Sequence, residues 1–161
     1  MSIPLRRPRV LFVCTANSCR SQMAHGWAHA LHGHAIEVRS AGVSPGTLNQ
    51  DAVLVMREAG VDISGQVPVS LADLAEERFD LVITVCDRAR GACPVFADAP
   101  RVLHVPFDDP PTLALGALSI DERLRPYRRV RDEIREFVES LPVLLQSALQ
   151  GAREISPVRD P

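Results

Sequence analysis

The stretch Arg9-Val-Leu-Phe-Val-Cys-Thr-Ala-Asn-Ser-Cys-Arg-Ser21 decides how the chain folds. Arg9 to Cys14 is a short, apolar, β-branched run that reads as a buried strand. Behind Arg20, the segment Ser21 to Gly33 carries Met23, Trp27 and Leu31 at helical spacing and stops at a glycine. Strand, tight loop and helix in that order open a βαβ unit, in which right-handed crossovers join parallel strands.

The alternation continues along the chain. Ile36 to Arg39 is a second strand, closed by Ala41-Gly42 and a Pro45-Gly46 turn. Asn49 caps a helix running to Gly60, and Ser70 caps a short helix through Glu77. Asp80 to Cys86 is the strongest strand signal, and Arg101 to Val105 makes a fourth strand. Asp121 to Gln150 reads as one amphipathic helix that Pro142 bends or breaks. The expected fold is α/β, a three-layer open sheet of four parallel strands with helices on both faces. Residues 1–150 read as one domain and 151–161 as a flexible tail. Ligands of such sheets bind beyond the C-terminal ends of the strands, at the topological switch point. Cys14 and Cys86 end two of the predicted strands, and Asp108 and Asp109 follow a third. Their side chains should converge on one edge.

Bulk properties narrow the function. At 161 residues, 46% hydrophobic and 24% charged, the chain matches a soluble globular domain with a proper core. A net charge of −2 gives no basic field for nucleic acid or an anionic membrane. All 18 basic residues are arginine, so no lysine Schiff base can form. The N-terminus lacks the apolar stretch of a signal peptide, and no apolar run is long enough to span a bilayer. A cytoplasmic location is expected, and four cysteines in a reducing compartment point to metal binding or thiol chemistry.

Cys14 and Arg20 form a Cys-x5-Arg spacing between strand and helix. A loop so placed can wrap a tetrahedral oxyanion, with the backbone N–H groups of Thr15, Ala16, Asn17, Ser18, Cys19, Arg20 and Ser21 as donors. The helix adds the positive end of its dipole, and Arg20 offers a planar fork for two oxygens. The same field favours the thiolate of Cys14, to which Ser21 can donate a hydrogen bond. Asn17 tolerates the left-handed backbone of a tight cradle. A Walker-type nucleotide loop is excluded, because its glycines and lysine are missing. Cys86 and Cys93 are too far apart for a zinc knuckle and have no histidine pair, so no metal site is expected. On pattern alone, Asp108 and Asp109 serve equally well as a proton donor or as a turn opener.

The string Val13-Cys-Thr-Ala-Asn-Ser-Cys-Arg-Ser-Gln-Met-Ala24 resembles the phosphate loop of low-molecular-weight protein tyrosine phosphatases. It is closer still to the thioredoxin-coupled arsenate reductases that share that fold. Further matches are Ser40-Ala-Gly42, Asp62-Ile-Ser64, Val85-Cys86 with Cys93-Pro94, Phe107-Asp-Asp-Pro110 and Arg129-Val-Arg-Asp-Glu-Ile134, in order along most of the chain. The resemblance implies an arsenate reductase of the detoxification type in which Cys14 attacks arsenate. Cys86 and then Cys93 carry the resulting disulfide outward to a thioredoxin-like donor. It implies Asp109, the aspartate before the proline, as the catalytic acid, and leaves Cys19 outside the relay. No bound cofactor is expected, and nothing demands more than a monomer.

Two departures from the family pattern matter. Phosphatases of this fold follow the acid with tyrosines, whereas Pro110-Pro-Thr-Leu113 contains no aromatic and Tyr127 is the sole tyrosine. A phosphatase using only Cys14, Arg20 and Asp109 is therefore the second reading. Some relatives also bind potassium near the loop through Asn, Ser and two acids. Here Asn17 and Ser40 match, but His25 and Val69 replace the acids, so no potassium dependence is expected. His32, His34 and His104 are expected to be structural.

Overall fold

The computed structural model describes residues 6–86 and 101–154. Its elements are β1 (Arg9–Cys14), α1 (Arg20–His32), β2 (Glu37–Gly42), α2 (Gln50–Glu58), a 3-10 turn (Leu71–Leu74), β3 (Leu81–Thr84), β4 (Val102–His104), α3 (Pro110–Leu113), α4 (Ile120–Glu139) and α5 (Leu141–Glu154). The four strands are all parallel, in the order β2-β1-β3-β4. Val10 to Val13 of β1 and all of β3 are buried, as near-continuous apolar runs in a sheet covered on both faces should be. β4 lies at the edge, with Val102 and His104 exposed.

The chain moves from β1 outward to β2, then returns past β1 to β3. The strand order therefore reverses between β1 and β3, and the crevice lies beyond the C-terminal ends of these two strands. The pairing of Val13 with Thr84 sets the register there. Val85 N–H then bonds the carbonyl of Val13 at 2.9 Å, which carries Cys86 one residue past the level of Cys14, beside Thr15.

The predicted elements appear in the predicted order, with four adjustments and one addition, the short helix α3. β2 extends to Gly42, three residues past the expected end. The helix expected after Ser70 is a single 3-10 turn, and the Ser70 side chain makes no cap. Ser70 instead bridges to Gly42 at the sheet edge. The final helix is two helices. α4 closes at Ser140, whose hydroxyl bonds the carbonyl of Phe137 at 2.6 Å, and Pro142 sits in the first turn of α5, where its missing N–H costs nothing. Helix α5 continues through Gly151 to Glu154, into the segment expected to be a tail.

Asn49 caps α2 as expected, its side chain accepting from Ala52 N–H at 2.9 Å. It also donates to the Tyr127 hydroxyl at 3.1 Å, tying α2 to α4. α1 packs on α4, where Trp27 Nε1 donates to the carbonyl of Arg131 at 3.1 Å. Among the described residues, no helix is long and apolar enough to cross a membrane.

Candidate active site

The loop from Cys14 to Ser21 is oriented from outside. The carbonyls of Cys14, Thr15, Ala16 and Ser18 accept backbone N–H bonds from Val43 (3.2 Å), Ser44 (2.8 Å), Gly46 (2.9 Å) and Asn49 (2.9 Å). The carbonyl of Asn17 accepts from Gln22 Nε2 at 2.9 Å. A peptide plane is rigid, and its N–H points opposite to its C=O. Turning these carbonyls outward therefore turns the N–H groups of residues 15–19 inward. One of them, Asn17 N–H, already bonds Cys14 Sγ at 3.1 Å. Helix α1 has no acidic residue in its first turn and no side-chain cap, so its positive end is left for an anion.

Two backbone positions make this path possible. Asn17 has φ 50°, the left-handed conformation anticipated from its residue type. Gly42, at the end of β2, lies directly against the loop. A Cβ there would stand 2.8 Å from both Asn17 N and Thr15 O, too close for any side chain.

Cys14, Asn17 and Ser21 are buried as one unit. Asn17 Nδ2 donates to Ser21 Oγ at 2.8 Å, and this leaves the Ser21 hydroxyl proton for Cys14 Sγ, also at 2.8 Å. Asn17 Oδ1 is in turn held by Val69 N–H at 2.9 Å and Gln22 Nε2 at 3.1 Å. Sequence alone anticipates a lowered Cys14 thiol. The neighbouring Cys86 thiol first and burial second push Cys14 up, while the Ser21 hydroxyl pulls it down. Two adjacent thiols titrate as a pair, and the second ionisation is the one their contact opposes. The single thiolate belongs on Cys14, where Ser21 and Asn17 both donate.

A cleft of about 520 Å³ opens above the loop. Thr15, Ala16, Ser18, Cys19 and Arg20 line it together with Cys86, Asp108 and Asp109. Asn17 and Ser21 act from behind the wall. Arg20 Nη1 donates to the carbonyl of Phe107 at 2.9 Å, and Nη2 lies 3.3 Å from Asp109 Oδ1. Asp109 therefore faces the loop, whereas Asp108 pairs with Arg129 at 2.9 Å. Thr112 Oγ1 donates to Asp109 Oδ2 at 2.6 Å.

Cys86 is buried beside Cys14, with Thr15 Oγ1 3.5 Å from its sulfur. Cys14, Cys19 and Cys86 are thiols rather than half-disulfides. Burial pushes the Cys19 thiol up to about 12, so it is a poor nucleophile at neutral pH. Cys93, with Arg88 and Arg90, lies outside the described residues. His25 Nδ1 and Ser40 Oγ are 2.8 Å apart, and burial pushes His25 down to about 4. Asn17 Oδ1 already accepts two hydrogen bonds, and an imidazole stands beside Ser40 where a hard cation would be served by a carboxylate. His32 bonds the carbonyl of Val138 at 2.9 Å and His104 bonds Thr84, both structural roles.

Residues 9–150 match the family of low molecular weight phosphotyrosine protein phosphatases, and the chain belongs to that family. Within it, the chain is similar to arsenate reductases. It is 41% identical to that of Bacillus licheniformis over 135 residues, which are 84% of this chain and 95% of the relative. It is 40% identical to that of Bacillus subtilis, over 81% of this chain and 95% of the relative. A solved arsenate reductase in the phosphate-binding state superposes with a TM-score of 0.73 at 32% identity, covering 86% of this chain and 98% of that one. A thioredoxin-dependent arsenate reductase from Corynebacterium glutamicum gives 0.62 at 26% identity, over 88% of this chain and 65% of that one.

Gly42, Gln22 and Thr112 hold the site without having been singled out as site residues from sequence. The need for Gly42 arises from a loop 25 positions earlier, and a glycine ending a strand gives no sign of it. Gln22 looks like one more helix residue until its side chain is seen to reach back to Asn17. Thr112 sits next to the Asp-Pro pattern but outside it.

Proposed function

We propose that this protein is an arsenate reductase that draws its electrons from a thioredoxin-like dithiol. The reading is carried by one juxtaposition: Cys86 shares the cleft of an oxyanion loop with the Cys14 nucleophile. Hydrolysis of a phosphate ester has no use for a second thiol there. Removing an electron pair from a thiol-bound arsenic requires one.

Arsenate enters the loop with its oxygens on the inward N–H groups and the Arg20 guanidinium. Cys14 Sγ attacks arsenic, Asp109 gives a proton to the departing oxygen, and water leaves. Cys86 thiolate then attacks Cys14 Sγ. The S–As bond breaks, arsenic keeps its electron pair and departs as arsenite, and a Cys14–Cys86 disulfide remains. Cys93 attacks Cys86, which frees Cys14 and leaves a Cys86–Cys93 disulfide for the external dithiol to reduce. Two thiols thus supply the two electrons that convert As(V) to As(III).

The coupled assay with arsenate, thioredoxin, thioredoxin reductase and NADPH tests this. Wild type should turn over continuously, Cys93→Ser should stop after one arsenite per enzyme, and Cys14→Ser should produce none. Normal cycling by Cys93→Ser would sink the relay. Family membership favours phosphomonoester hydrolysis as the second reading, since its first step uses the same Cys14, Arg20 and Asp109. Tyr127 is buried in the core, so no tyrosine shapes a slot beside the acid. A phosphatase would be indifferent to Cys93→Ser.

A further inference from the structure

Asp109 opens the short helix α3, yet its side chain caps no backbone N–H. A capping aspartate ordinarily accepts from the second or third residue of its helix. Here the first two helical residues are Pro110 and Pro111, and proline has no N–H. The carboxylate is held by side chains instead, with Oδ2 on the Thr112 hydroxyl at 2.6 Å and Oδ1 toward Arg20 Nη2 at 3.3 Å. Asp109, Pro111 and Thr112 all line the cleft.

We propose that Thr112 is the positioning residue for Asp109, holding its carboxyl in the orientation from which it protonates the departing oxygen. This rests on the reading of Asp109 as the acid. The Asp-Pro-Pro-Thr order has a physical sense in that light. Pro111 removes one of the two backbone donors a helix cap could use, the carboxylate leaves the other unused, and the Thr112 hydroxyl supplies the donor that turns it toward the cleft. In the step itself, the proton passes from Asp109 to the oxygen that leaves as water while Cys14 Sγ bonds arsenic, which stays As(V). The carboxylate formed on Asp109 receives the Thr112 hydrogen bond as its charge develops. Removing that donor frees the carboxyl to turn away from the departing oxygen, which slows proton delivery and leaves the oxyanion loop untouched.

Single-turnover formation of arsenite from reduced enzyme, followed against arsenate concentration at one pH, separates the outcomes. In Thr112→Val the rate at saturating arsenate should fall about threefold, the size expected for one exposed hydrogen bond, with half-saturation unchanged, and Thr112→Ser should restore the rate. In an Asp109→Asn background Thr112→Val should change nothing further. Cys14 alkylation by iodoacetamide should be the same in wild type and both Thr112 variants. An unchanged rate in Thr112→Val, an equal further fall in the Asp109→Asn background, or a changed Cys14 alkylation rate overturns the role of Thr112. Asp109→Asn alone tests the reading beneath it: a large fall in rate supports the acid, and a wild-type rate refutes it whatever Thr112 does.

Discussion

The loop at residues 14–21 and the loop at residues 107–112 face one another across the same cleft, but they are held by different kinds of contact. The first is fixed by main-chain hydrogen bonds to residues 43–49 and by the buried side chains of Asn17, Ser21 and Gln22. The second is fixed by Arg20 on Phe107 and Asp109, Arg129 on Asp108 and Thr112 on Asp109, the last two contacts exposed. Buried polar side chains such as Asn17, Ser21 and Gln22 cost about 1–3 kcal/mol each when left without a partner. Exposed ion pairs contribute about 0.2–1 kcal/mol. On the proposed function, the difference separates two tasks. Oxyanion capture needs a rigid set of donors, whereas proton delivery needs a carboxyl that can be released from Arg20 once Arg20 turns to the anion.

The sharpest break of this contrast is Gly42→Ala. Its methyl would displace the main chain of Thr15 to Asn17, and we expect the fold to lose about 1–3 kcal/mol and kcat/KM to fall about a hundredfold or more. Thermal unfolding and steady-state arsenate kinetics measure both. Next is Ser21→Ala, which removes the hydroxyl that pulls the Cys14 thiol down. The pH profile of Cys14 alkylation should move up by about one unit, slowing alkylation at neutral pH about tenfold. An unmoved profile would show that Asn17 N–H and the α1 dipole suffice.

A smaller effect comes from His25. Its folded value of about 4 lies below the ordinary 6.5, so the unfolded chain takes up a proton first as pH falls. The resulting stability is full above pH 6.5 and is lost toward pH 4. His25→Gln should flatten the stability curve across that window, as read by urea unfolding at several pH values. The exposed clamp should matter least for the chemistry, with Arg129→Ala changing kcat/KM by less than about fivefold. Finally, potassium should raise Tm no more than sodium does. A potassium-specific rise would mean that the bonds on Asn17 Oδ1 and Ser40 Oγ yield to a cation.

The strand, loop and helix at the start of the chain were legible because their determinants are local. An apolar run makes β1, helical spacing makes α1, and Asn17 marks the left-handed turn between them. The convergence of Cys14, Cys86 and Asp109 was legible from topology, since parallel strands present their C-terminal ends on one edge. The second ends of elements were harder to read. Residues 70–77 carry a capping serine and an apolar pattern, yet Ser70 is drawn to the sheet edge by Gly42 and the segment makes only a 3-10 turn. Local spacing does not register such a pull from a distant strand. The same holds for Cys14, where burial and a neighbour 72 positions away oppose the field of its own loop.

The outward carbonyls of the oxyanion loop bear on how this sequence can change. Their partners are backbone N–H groups of Val43, Ser44, Gly46 and Asn49, and among the three residues these donors skip is Pro45, which has none to give. Side chains at 43, 44 and 46 contribute nothing to those bonds and are free to drift. Proline, however, should be tolerated at 45 and refused at each donor position. A saturation scan of residues 42–49 selected on arsenate would then trace the outline of the anion loop through residues that never touch the anion, as a pattern of forbidden prolines beginning at an obligatory glycine.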